Sequence, residues 1–373
     1  MSNQGLGSSA DRMRALVGEL ESARAEIAEL RGSLSWKVTA PLRAARTCVI
    51  ETSRWLRRRA KISHRGKQLT IAVVAILKNE APYLLEWIAW HQLIGVDWFL
   101  LVDDESDDGT TEILHRLAEH NIVMLCPRPD HERVVLRQRS HFSHAHTVAR
   151  ETDWLCFIDV DEFIVPEHEK PEGLREFLSS RPERVGAIAV NWATFGAAGR
   201  ELPGEEGVLR RFTSRSALSE LVNNHYKTIA RRDALSGKWP RNSHHIEISS
   251  AFDFVDTAGE RLVKLKHGRS KHPTWQGLKI HHYATKSWTE YTLKQARWGS
   301  QRAIGLGYWH DHAHYGQEND PSAGGLAATL AARVEELRAL LDGLPDDIRL
   351  ADQLLASAVP PDAVPIDPWV KPD

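Results

Sequence analysis

Two carboxylates one residue apart, Asp159 and Asp161, close an apolar run in residues 154–166 (WLCFIDVDEFIVP). Side chains alternate along extended backbone, so both carboxylates project to one side. A pair of hard oxygen donors so placed suits Mg²⁺ or Mn²⁺. Such an ion neutralises the charge that develops on a departing diphosphate. Residues 154–166 contain no Lys or Arg to neutralise the pair locally, so the segment itself calls for a cation. The structural reading of the same residues is an acidic turn capping the next element.

Two further clusters follow apolar runs. Lys78-Asn79-Glu80 follows residues 70–77 (TIAVVAIL), and residues 103–110 (DDESDDGT) follow residues 98–102 (WFLLV). Acidic and small polar side chains there can hold a ribose hydroxyl or a base edge, and Gly109 permits the turn into a helix. Two other readings compete for the second cluster. It suits a helix N-terminus rich in capping residues. Asp104, Ser106, Asp108 and Gly109 also partly match a calcium loop, although His115 stands where that loop needs a bidentate Glu. A D-x-D at a strand end is shared with phosphatases of the haloacid dehalogenase type, but Glu162 and Phe163 stand where those want a small residue or Thr.

Such clusters need a rigid frame. Residues 70–77, 98–102, 122–126 and 154–158 read as strands, with helices over 81–94, 110–120 and 137–150 between them. Strands apolar on both faces, alternating with helices, imply an α/β fold with a parallel sheet covered on both sides. Ligands of such sheets collect beyond the carboxyl ends of the strands, where the three clusters fall. Residues 186–191 and 278–280 add further strands. Trp192 and Phe195 follow the first of these; their rings suit stacking on an acceptor sugar or packing in a core. His281 and His282 follow the second. Residues 326–341 and 348–355 read as amphipathic helices, and the Pro-rich end from Pro360 as a loose tail.

Ahead of this frame, Met13, Leu16, Leu20, Ala23, Ile27, Leu30 and Leu34 repeat at heptad spacing. Residues 1–36 therefore read as a helix, either packed on the main domain or joining a homodimer through residues 13–34 as a coiled coil. Residues 37–68 carry ten Lys and Arg against Glu51 alone, interleaved with Val49, Ile50, Trp55 and Leu56. That mixture suits an anionic membrane surface, or a basic linker. Residues 69–320 form the main domain, and residues 321–373 the C-terminal helices and tail.

The chain has 373 residues, 42% apolar and 26% charged, which fits a globular protein rather than a disordered one. Its 48 Lys and Arg against 50 Asp and Glu argue against a surface that coats nucleic acid, and no recognition fold accompanies the basic run. Cys48, Cys126 and Cys156 show no C-x-x-C spacing, so neither a disulfide framework nor a thiolate zinc site is signalled. No apolar run reaches the roughly 18 to 20 residues that cross a bilayer, and no signal-peptide pattern opens the chain. The expected location is cytoplasmic, peripheral on the inner face of the membrane.

In order along the chain, KNEAPYLLEWIAWHQLIGVDWFLLVDDESDDGT, WLCFIDVDEFIVP, NWATFGAAG and HHYATKSW resemble the family-2-like glycosyltransferases, nearest glycosyltransferase family 92. The resemblance covers about residues 70–300. It implies a GT-A fold, a nucleotide-sugar donor, a divalent metal (Mn²⁺ or Mg²⁺) at the D-x-D, and inversion at the transferred carbon. It assigns Lys78, Asn79 and Glu80 to the donor motif of the first strand, Asp103 and Asp104 to the nucleoside, and Asp159 and Asp161 to the metal. A late histidine, His282 or His281, is the implied third ligand. His244, His245 and Glu247 compete for that role and for the acceptor. Lys286 and Arg297 are candidates to clamp the diphosphate, with solvated helix charge as the alternative.

The sequence also departs from that pattern. The Glu-Asp dipeptide that supplies the base in typical family-2 enzymes is absent, which leaves the base unassigned, with His245 and Glu247 as candidates only. Lys294-Gln295-Ala296-Arg297-Trp298 misses the Q-x-x-R-W of processive synthases by one residue. His310, His312 and His314 alternate, yet their Gly and Asp neighbours read as a loop rather than a zinc-binding strand. The expected activity is a metal-dependent glycosyltransferase, hexosyltransferase-like, acting on a glycan or lipid-linked acceptor in polysaccharide or glycoconjugate synthesis. The alternatives are a sugar nucleotidyltransferase, which would show a Gly-rich N-terminal loop, and a non-catalytic membrane-associated scaffold with a degenerate GT-A domain.

Overall fold

A computed structural model describes residues 68–354, apart from Glu132, Arg150, Glu169, Glu205, Trp239, Arg241, Asn242 and residues 299–304. The heptad helix, the basic segment up to residue 67 and the Pro-rich tail lie outside the described residues.

The chain opens with β1 (Ile71–Leu77), α1 (Ala81–Leu93), β2 (Trp98–Asp103), α2 (Thr110–Glu119), β3 (Met124–Leu125), α3 (Val134–Val148) and β4 (Trp154–Phe157). β1 is β-branched and buried along almost its whole length, as a strand covered on both faces must be. β3, β2, β1 and β4 pair in parallel, in that order. This half of the sheet is the one the apolar runs imply.

The second half is not parallel. After β5 (Glu162–Pro166), α4 (Gly173–Ser179) and β6 (Val185–Thr194) come α5 (Val208–Arg211), β7 (Ser214–Arg215), β8 (Tyr226–Arg231), β9 (Asp253–Asp256), β10 (Lys264–Leu265), β11 (Arg269–Ser270) and β12 (Leu278–His282). The sheet continues from β4 through β8, β6 and β12 to β5, with β9 beside β6. β8 runs antiparallel to both β4 and β6, and β5 antiparallel to β12. The nine-stranded sheet is therefore mixed, a correction to the all-parallel expectation. Hydrophobic runs report burial but carry no strand direction.

A second correction concerns residues 154–166. The strand expected at 154–158 is β4, but the backbone is not extended through Asp159 and Asp161: it turns and crosses to β5 at the far edge, with β8, β6 and β12 between the two strands. Asp159 and Asp161 occupy the crossing. α1 holds β5 in place through three side chains. The indole N–H groups of Trp87 and Trp90 donate to the carbonyls of Glu162 and Ile164, both at 2.8 Å. His91 Nδ1 bonds the Trp87 carbonyl at 2.8 Å, and its Nε2 accepts from the Ile164 N–H at 3.2 Å.

Downstream lie α6 (Trp288–Trp298), α7 (Gly305–His312), β13 (Glu318–Asn319), α8 (Ala327–Ala339), α9 (Asp346–Arg349) and α10 (Ala351–Leu354). α8 matches the expected helix and packs on α1. The expected second helix is instead the two short pieces α9 and α10. No described helix is long and apolar enough to cross a membrane.

Candidate active site

A cavity of about 380 Å³ opens at the carboxyl ends of β1 and β4. Lys78 and Glu80 reach it from the end of β1, Asp159 and Asp161 from the crossing, Trp192 from β6 and His282 from β12. Its remaining polar wall comes from Gln138 on α3, from Ser243 and His244, from Tyr291 and Lys294 on α6, and from Tyr308 on α7. The sheet register explains the meeting: β12 pairs His282 with Glu162 on one side and with Thr194 on the other. The Tyr283 N–H then donates to the Asp161 carbonyl at 2.9 Å.

The two carboxylates are not short of cations, contrary to what the local sequence implies. Lys294 Nζ lies 2.5 Å from Asp161 Oδ2, and Lys227 Nζ lies 2.7 Å from Asp159 Oδ2. Gln138 donates to the other oxygen of Asp159 at 2.7 Å. Burial works against ionisation of Asp161, but the Lys294 ammonium overrides it and holds the carboxyl well below the usual range. Burial likewise opposes charge on Lys294, while Asp161 and Glu80 keep it protonated. The glutamate after the D-x-D is a buttress. Glu162 accepts from Trp192 Nε1 at 2.8 Å and from the Asp159 N–H at 2.9 Å. Burial pushes its carboxyl up to about 8 although Lys227 opposes this.

Asp161 and His282 fit a divalent ion. Their Oδ2 and Nε2 atoms are 3.9 Å apart, too long for a hydrogen bond. Neighbouring ligands of an octahedral ion at about 2.1 Å stand about 3 Å apart, so the pair would share one ion after closing by roughly 1 Å. Burial lowers the His282 pKa to about 3, which keeps the imidazole neutral, as a ligand must be. No trio of His, Cys, Asp and Glu with metal-holding geometry occurs among the described residues. Two protein ligands with positions left for phosphate is the habit of Mg²⁺-type sites that hold substrate.

Several expected residues stand elsewhere. Asp104 is buried, and its oxygens accept from Arg128 at 2.7 Å and Arg137 at 2.6 Å. Asp103 bonds Ser106 and Thr111. Asn79 and Asp107 bond each other twice, and Asp108 accepts from the Ala81 N–H at the start of α1. The acidic run after β2 thus latches two loops together, and the partial calcium pattern is spent the same way. Phe195 is buried against His281 and Tyr283, in the core rather than on an acceptor surface. Lys286 is buried with its ammonium 4.2 Å from the Tyr83 ring centre. Arg297 lies on α6, and its side chain is outside the described residues.

The histidine pair is also reordered. His245 faces away from the cavity, bonding Tyr226 Oη at 2.8 Å and Lys264 at 3.0 Å, with Glu247 beside it. Its neighbour His244 lines the cavity, with Nδ1 3.1 Å from the Tyr226 carbonyl. Trp192 does lie on the wall, stacked on His282 at 4.0 Å and meeting His244 edge-on at 5.2 Å.

The mixed α/β sheet with this cavity at its strand ends agrees with the GT-A fold expected of the chain. The chain belongs to glycosyltransferase family 92, which its residues 67–299 match. A glycosyltransferase family 92 protein of Oryza sativa subsp. japonica is 30% identical over 58% of this chain and 35% of its own length. One of Arabidopsis thaliana is 27% identical over 65% of this chain and 42% of its own. The chain thus spans well under half the length of these curated relatives. Similar solved structures include S. aureus TarS 1-349, 13% identical with a TM-score of 0.32, covering 77% of this chain and 91% of that one. Another is M. tuberculosis glucosyl-3-phosphoglycerate synthase with Mn²⁺ and UDP-glucose, 16% identical with a TM-score of 0.30, covering 53% and 72%.

Proposed function

We propose that this chain transfers a sugar, with inversion, from a nucleoside-diphosphate donor to a hydroxyl of a glycan or lipid-linked acceptor. The observation that carries the reading is the stored charge in the cavity: a buried anion, Asp161, lies between an ammonium, Lys294, and a neutral imidazole, His282. A site that keeps one cation on a carboxylate and room for another is built for a ligand more negative than that carboxylate. Asp161 and His282 would hold Mn²⁺ or Mg²⁺, which offsets the negative charge of the leaving diphosphate. Lys294 turns from Asp161 to the diphosphate, and Lys78 adds a second ammonium from the end of β1. Trp192 offers its face to the acceptor sugar.

The proton of the attacking hydroxyl needs a base. Among the basic groups of the cavity, Asp159 is saturated by Lys227 and Gln138, Asp161 and His282 serve the cation, and Glu80 flanks the donor side. His244 is the candidate for the role, with Nδ1 facing the Tyr226 carbonyl, although burial and the Lys227 ammonium hold its pKa well below the ordinary imidazole value.

The test is transfer itself. Incubation with UDP-, GDP- and dTDP-sugars, Mn²⁺ and a glycan or lipid-linked acceptor should release the nucleoside diphosphate from one donor class, EDTA should stop it, and CMP-sugars should be inert. Asp161→Asn keeps the shape and removes the charge, so it should lower turnover by at least about a hundredfold. Undiminished turnover in that variant, or in EDTA, overturns the cation assignment; no turnover with any donor overturns the reading as a whole.

A further inference from the structure

Outside the cavity, the five most exposed large apolar side chains among the described residues are Leu221 (75%), Leu202 (53%), Val263 (51%), Leu265 (40%) and Leu218 (36%). All but Leu202 fall on two adjoining segments. The first ends in the 3₁₀ turn Leu221–Asn224, and the second is the β10–β11 hairpin. Ser270 and Asn191 bond the Asn224 and Asn223 carbonyls, the Tyr226 N–H donates to the Gly268 carbonyl, and His225 bridges Arg269. The two segments form one continuous surface.

That surface is strongly basic. Residues 261–271 carry Arg261, Lys264, Lys266, Arg269 and Lys271 and no acid. None of the five forms an ion pair with a described carboxylate, and all except Arg269 are exposed. Val263 and Leu265 sit between these cations. Exposed aliphatic tips among unpaired cations are poorly suited to bulk water and well suited to the boundary of an anionic bilayer. There the tips enter the headgroup layer and the Lys and Arg heads reach lipid phosphate. A nucleic acid would use the cations and leave the apolar tips without a partner.

We infer that the β10–β11 hairpin and the 218–224 turn form a docking surface for an anionic membrane. It is distinct from the basic segment 37–67. Its place gives it a use: His225, which joins the two segments, lies with its ring tilted 4.9 Å from that of Trp192 on the cavity wall. A lipid-linked acceptor held in the bilayer would meet the cavity from the side that carries Trp192. The docking surface stands without the proposed reaction; only this use rests on it.

The experiment is co-sedimentation of the full chain with vesicles of phosphatidylcholine alone and of phosphatidylcholine mixed with phosphatidylglycerol. Binding should require the anionic lipid and weaken with salt. Lys266→Glu with Lys271→Glu should weaken partitioning by at least about thirtyfold, from about 1 kcal/mol per basic residue near the surface. Leu221→Ser, Val263→Ser and Leu265→Ser together should also release the protein, with a melting temperature only slightly lowered, since all three are among the most exposed apolar side chains of the described residues. Binding as tight in both variants as in the unaltered chain overturns the inference and leaves residues 37–67 as the membrane contact. Loss on charge reversal with full retention in the serine variant overturns the bilayer in favour of an acidic glycan or protein. Nucleotide release from a soluble donor, measured in parallel, reports separately on the proposed reaction.

Discussion

Lys294 lies 133 positions from Asp161 along the chain, and Lys227 lies 68 from Asp159, yet these two ammonium groups decide the electrostatics of the cavity. Lys294→Met removes the charge and keeps the length of the side chain. Two effects of opposite sign should follow. Affinity for the nucleoside diphosphate should fall by roughly ten- to a hundredfold, the range for a charged hydrogen bond. Mn²⁺ alone should bind more tightly, because Asp161 is released from its partner. Calorimetry on the variant measures both, and a metal affinity that does not rise would show that Lys294 and the ion do not share Asp161. His244→Gln should lower kcat by about a hundredfold or more and leave nucleotide affinity unchanged; a fall in affinity with kcat intact would remove it as the base. Of this arrangement the sequence displays the anions, because Asp159 and Asp161 share one apolar segment. It conceals the cations, because Lys227 is a lone lysine in the strand YKTIAR and Lys294 one of several charges on an ordinary helix. The swap of His244 for His245 turns on one residue of register in a loop, which no spacing rule fixes.

Elements were legible where hydrophobicity speaks. β1, β2, β4, α1 and α2 lie within a residue or two of the apolar runs and turn residues that announce them. What the runs omit is direction and order, so the antiparallel half of the sheet and the long separation of β4 from β5 became visible only through strand pairing. That separation depends on α1, whose His91 joins the Trp87 carbonyl to the Ile164 N–H and can do so only as the neutral tautomer. Burial lowers the pKa of His91 to about 3 and that of His141 to about 4, as it does His282 to about 3. The unfolded chain protonates these groups near 6.5, so between there and about 4 it binds more protons than the folded one. The histidine contribution is therefore full above 6.5 and falls as pH drops, by about 1.4 kcal/mol per pH unit for each such histidine, offset in part by Glu162, whose raised pKa acts with the opposite sign over the same range. Urea unfolding at pH 7, 6 and 5 should show this decline, and His91→Gln should reduce its slope by about one histidine's share. An unchanged slope would mean that His91 already titrates in the folded protein.

At the scale of the whole molecule, a net charge of -2 hides the uneven placement of its charges. The cavity gathers lysines around a carboxylate pair, and the hairpin beside it collects cations without acids. Near-neutral composition excluded a protein coated for nucleic acid but could not show that residues 261–271, unremarked as a sequence, stand out from the surface with their apolar neighbours exposed. The proposed donor makes a prediction at this scale too. A ligand that binds only the folded chain stabilises all of it by mass action, about 2.7 kcal/mol at a hundred times its dissociation constant. For a domain of this size each kcal/mol moves the midpoint by roughly 2–4 °C, so the matching nucleoside diphosphate with Mn²⁺ should raise the melting temperature by about 5 °C or more. The other nucleotides should leave it nearly unmoved. EDTA should shrink the rise without abolishing it, because Lys294 and Lys78 still meet the diphosphate when the cation is gone. A rise that vanishes completely in EDTA would place the whole of donor binding on the metal, and equal rises with every nucleotide would mean that the cavity reads the diphosphate and not the base.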